Sequence, residues 1–158
     1  MRKHYIYALI AVIAASAAAF FMHVYLDGAL TSKIETTMRQ NPVVMPPYPF
    51  YITAIAFITS FIPTAAVMII FSVLYERIPG RGPLSKSFLF WILLLAVKGD
   101  LIRFPLMNVL VGNPVWLALL VQVDAWISNL VLCLLLGFGI HFAKGARERC
   151  VNAASLPE

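Results

Sequence analysis

The chain has 158 residues, of which 61% are hydrophobic and 12% charged, with a formal net charge of +5 and a mean hydropathy of +0.87. Ordinary soluble domains carry about twice that charge fraction. So apolar a chain excludes a soluble fold and a disordered one, and its basic residues are not gathered into the stripe a nucleic-acid module needs. What remains is an all-α integral membrane protein. A bilayer-crossing helix takes about 20 apolar residues, so the length accommodates about four spans in a single membrane domain, residues 1–158.

The first apolar run, residues 5–26, follows Arg2 and Lys3. Ala17 and Ala19 resemble a signal-peptidase site, but the run continues through Phe20, Phe21 and Val24 to the length of a true span, and a retained helix is expected. Ala8, Ala11, Ala15 and Ala19 form a helix-packing stripe of small residues, with Ser16 alongside. Its simple reading is packing within the bundle, and its sharper one is a docking face for another protein.

Residues 27–48 form the long connection. Leu30, Ile34 and Met38 recur at helical spacing behind Ser32 and Glu35, which are spaced as a capping box. The expectation is a short interfacial helix in this outer loop, ended by Asn41-Pro42, with a plain linker as the alternative. The second span is predicted over 49–75, interrupted at Pro63, which frees the carbonyl of Thr59 beside Ser60 and Thr64. A turn through Pro79-Gly80-Arg81-Gly82-Pro83 follows.

The third span, 88–111, is the most informative. It carries Lys98, Gly99, Asp100 and Arg103 near its midpoint, then Pro105 and Asn108, and Pro105, like Pro63, reads as a helix kink. Its Leu, Ile, Phe and Val residues contribute about −4.5 to −9 kcal/mol to insertion, against about +7.5 to +10.5 kcal/mol for three central charges. The segment therefore needs partners for its charges. Lys98 lies about 200° around an ideal helix from Asp100, a restriction that an unwound turn at Gly99 or a break before Pro105 would relax.

The fourth span, 114–142, supplies candidates. Gly112-Asn113 is so short a turn that spans three and four must be antiparallel neighbours, which brings Asp124 within about 3 Å of the depth of Arg103. A direct Arg103–Asp124 pair is expected, with Asp100 at i−3 from Arg103 as a second acceptor. Gln122, Ser128 and Asn129 complete an intramembrane polar cluster with Lys98, Asp100, Arg103 and Asp124. Residues 143–158 form the tail.

Eight cations fall on one side of this arrangement (Arg2, Lys3, Arg77, Arg81, Lys86, Lys144, Arg147, Arg149) and two on the other (Lys33, Arg39). The positive-inside rule then predicts a four-transmembrane-helix bundle with both termini cytoplasmic, in a bacterial cytoplasmic (inner) membrane.

Cys133 and Cys150 are about 25 Å apart along one helical segment, and His4, His23 and His141 make no ligand pair, so neither a disulfide enzyme, a haem protein nor a metal site is expected, and no cofactor. His23 reads as an interfacial polar contact. Two membrane aspartates on four spans give a layout similar to that of lipoprotein signal peptidases, whose aspartates lie near the outer surface, one directly before an arginine and one after an Asn-x-Ala segment. Asp100 precedes Leu101 and Asp124 follows Gln122-Val123, so the likeness stops at layout.

Lys98, Asp100, Arg103 and Asp124 sum to zero charge. That favours a non-enzymatic accessory or assembly subunit whose partners are the lipid bilayer and a membrane protein or a second copy. The alternatives are a small proton- or ion-coupled translocator using Asp100 or Asp124, and an intramembrane aspartate-dependent enzyme.

Overall fold

The computed structural model describes residues 2–38, 49–110 and 114–154, and among these it is helical with no strand. The elements are α1 (Arg2–Met38), α2 (Phe50–Leu74), α3 (Pro83–Lys98), α4 (Arg103–Leu110), α5 (Val115–Leu120) and α6 (Val123–Ala154). Three apolar stretches, Tyr5–Leu30, Phe50–Leu74 and Val115–Ala146, are long enough to cross a bilayer. The third predicted span is not one helix but two, α3 and α4, parted at Gly99–Ile102.

Helix α1 differs from expectation at its outer end. It runs 37 residues without interruption to Met38, so residues 32–38 continue the first helix and do not form a separate interfacial one. A helix already propagating needs no new cap, and Gly28 alone costs only about 1 kcal/mol relative to alanine. The Asn41-Pro42 stop lies outside the described residues.

Pro63 removes one backbone hydrogen bond, yet α2 remains a single helix. Hydroxyls crowd the turns around it: Thr59 donates to the carbonyls of Ile55 and Ala56, Ser60 to Phe57, and Thr64 to Ser60. Pro105 occupies the first turn of α4, where its missing N–H would have had no intrahelical partner. It begins a helix, where a kink within one was expected.

Helix α6 is the hub, with α1 and α3 packed along it and α2 against α1. Small residues permit this. A side chain at Gly139 would collide with Ala11 of α1, and one at Gly137 with Ser87 of α3 and Phe71 of α2. Ala11 and Ala15 of the alanine stripe are buried, and Ala8 and Ala19 pack against the core. The stripe thus faces α6. Phe71 stacks on Phe90 with centroids 4.0 Å apart and planes within 4°. In lipid such contacts act through dispersion and close approach, since hydrocarbon tails are as apolar as the side chains they replace.

The surface is inverted relative to a soluble protein. Ser16, Thr64, Ser87, Asp100, Gln122, Asp124 and Ser128 are buried, while Phe50 is 87% and Val97 79% exposed. Apolar area on this scale requires hydrocarbon or a partner to cover it.

Candidate functional site

The break between α3 and α4 builds the site. Gly99 caps α3 with φ 85°, a left-handed conformation that costs a side-chain-bearing residue about 1–2 kcal/mol. Its N–H donates to Ala96 O (3.2 Å), and its carbonyl accepts from Phe104 N (3.0 Å), which closes the unwound turn. That turn swings Asp100 back beside Lys98, and Lys98 Nζ lies 3.3 Å from Asp100 Oδ2. Lys98 also sits in the last turn of α3, where the helix dipole favours a cation.

Helix α6 grips this turn. Lys98 Nζ donates to Asn129 Oδ1 at 3.4 Å, and the Asn129 amide anchors itself on Ala125 O at 2.6 Å. Trp126 Nε1 donates to Asp100 O (3.0 Å), and Trp91 Nε1 donates to Trp126 O (2.8 Å). The backbone of the break is thereby satisfied inside the protein, as unwound segments at membrane depth require. Neither tryptophan is among the residues the sequence singles out.

Asp124 faces another way. Its Oδ2 lies 2.7 Å from His23 Nδ1 of α1, and its Oδ1 accepts from the N–H of Ala125 at the start of α6. The expected Arg103–Asp124 pair is not formed. Depth was read well, since Trp126 meets Asp100 and Asn129 meets Lys98, but depth does not fix the direction around a helix. Asp124 and Trp126 are about 200° apart on α6, so when Trp126 faces α3, Asp124 faces α1.

Arg103 is exposed and joins no ion pair or hydrogen bond among the described residues. Gln122 is buried in the turn between α5 and α6, its carbonyl accepting from Trp126 N (3.0 Å). The Ser128 hydroxyl is buried without a hydrogen-bond partner among the described residues, as is Ser16. Asp100 Oδ2 likewise has no well-directed hydrogen bond, and Lys98 is its only ion-pair partner among the described residues.

A second polar group occupies the opposite end of the bundle. Glu76 bridges Lys144 of α6 and Lys86 of α3, and both ammonium groups lie over the Tyr75 ring, at 4.8 and 4.5 Å. Lys86 also donates to Tyr75 O at 2.7 Å. The hydrogen bond and charge of Lys144, aided by Lys86, hold the Glu76 carboxyl below its ordinary range. From Lys144 to Asp124 the rise along α6 is about 30 Å. The charges around Asp124 therefore sit far from this basic end.

No group of three or more His, Cys, Asp or Glu residues that could hold a metal occurs among the described residues. No protein-family model, curated protein or solved structure matches the chain. Its class rests on its own architecture, that of a helical membrane protein with several apolar spans and an internal polar staple at a broken helix.

Proposed function

We propose that the chain is a four-span, non-enzymatic accessory or assembly subunit of a bacterial inner-membrane complex, with both termini in the cytoplasm. Spans three and four would be the pairs α3–α4 and α5–α6, each interrupted at the polar level. The observation that carries this reading is that each buried aspartate already has a counter-group. Asp124 is held by His23 across α1 and α6, and Asp100 by Lys98, which is itself fixed to α6 through Asn129. Carboxylates engaged in this way hold helices together. A coupling carboxylate would instead need freedom to titrate during a transport cycle.

Purified protein in liposomes is expected to carry no proton or ion flux above empty vesicles, and mild-detergent extracts should contain it together with a membrane partner. A gradient-driven flux from the wild-type chain, lost in Asp124→Asn at normal folded yield, would replace this reading with the translocator.

A further inference from the structure

Arg103 is the cation the staple leaves over. Lys98 is matched by Asp100 and His23 by Asp124, but the Arg103 guanidinium has no acidic or hydrogen-bonding partner among the described residues. Its stem is fixed nonetheless. A Cβ placed on Gly99 would lie 3.3 Å from Arg103 Cβ and 3.4 Å from its Cδ, so the chain runs across the glycine turn before its head emerges. Exposed apolar residues flank it in sequence: Ile102 is 67%, Phe104 46% and Leu106 52% exposed. Lys98, 46% exposed, sits on the other side of the same turn.

A permanent charge within an apolar surface requires an anion or a route to water. Its depth indicates which. Lys86 marks the basic end of α3, and twelve residues of helix carry the chain about 18 Å to Lys98, with Arg103 a turn beyond. Across a hydrocarbon layer of about 30 Å, a side chain of that length snorkels to the phosphate level of the outer leaflet.

We propose that Arg103, assisted by Lys98, binds the phosphate of an anionic outer-leaflet phospholipid, whose acyl chains lie along the exposed apolar side chains of Ile102 and Leu106, one helical turn apart. The planar fork of guanidinium donors matches two phosphate oxygens. The depth estimate rests on the membrane placement proposed above. Impermeant labelling of an Asn113→Cys variant, between the third and fourth apolar runs, tests that placement separately, because this position carries none of the proposed lipid contacts.

The binding test uses the full chain in detergent, titrated with phosphatidylglycerol, with diacylglycerol of the same chains, and with inorganic phosphate. Lipid retained in native mass spectrometry and the thermal midpoint are the readouts. Wild-type protein should retain and be stabilised by phosphatidylglycerol alone. Arg103→Gln should bind it about tenfold more weakly at unchanged helical content, Arg103→Lys should keep part of the binding, and Arg81→Gln at the opposite end should match wild type. Equal retention of diacylglycerol by the wild type, the same stabilisation by inorganic phosphate, undiminished binding by Arg103→Gln, or an Arg103-dependent crosslinked dimer in place of bound lipid would each overturn the proposal.

Discussion

The His23–Asp124 contact is half open: the histidine side chain is 56% exposed and the aspartate 12%. Its strength should fall between an average interhelical hydrogen bond in a membrane, about 0.6 kcal/mol, and the lower bound for breaking a fully buried pair, about 3 kcal/mol. His23→Leu and Asp124→Leu should each cost about 1–2 kcal/mol, and the double variant less than the sum, as measured by reversible unfolding in detergent. Arg103→Leu, which strands neither carboxylate, should leave the unfolding midpoint near that of wild type.

Glu76 provides the pH signature at the other end. Its carboxyl titrates lower in the folded protein than in the unfolded chain, so its contribution is complete above the ordinary carboxylate range and is lost as pH falls through the depressed folded value. The difference in thermal midpoint between wild type and Glu76→Gln should therefore be full at about pH 7 and shrink as pH falls below the ordinary carboxylate range.

Among the elements, the break between α3 and α4 turns on one glycine. Gly99→Val should cost more than Gly99→Asn, because asparagine tolerates the left-handed region and a branched side chain does not. Each also brings a Cβ against the Arg103 stem, so a loss of about 1–3 kcal/mol for valine is expected in the same unfolding assay. The interruption was legible only as a possibility, since charges, Gly99 and Pro105 in an otherwise apolar run admit either a broken helix or a packing kink. The level at which α3 meets α6 was legible too, because the short turn at Gly112-Asn113 sets the register. The face of α6 that Asp124 occupies was not legible, since no short connection relates α1 to α6. Gly137 and Gly139 lay in plain view within an apolar run, but close approach shows only when a facing helix is present. The turn at Val121–Gln122 carries neither glycine nor proline, and no local signal announces it.

For the whole molecule, the proposed four-span arrangement makes a direct demand on sidedness. Single cysteines at residues 32–38 should react with an impermeant reagent from outside the cell. Those at residues 78–86, beside the Glu76 group, should react only after permeabilisation. Labelling of Arg147→Cys from outside would exclude a cytoplasmic C-terminus. The apolar exterior and buried polar residues followed from composition and pattern alone, because hydrocarbon imposes one dominant requirement on every outward position.

The order in which the chain is made gives the hub position of α6 a further meaning. Helices α1 and α3 find their principal neighbour in α6, and α6 is synthesised after both. Until it enters the membrane, His23 lacks Asp124, the carbonyl of Asp100 lacks Trp126, Lys98 has Asp100 but not Asn129, and the alanine stripe of α1 lacks its facing helix. The earlier helices must therefore wait as loosely associated segments, and the insertion of α6 is the step that draws them together.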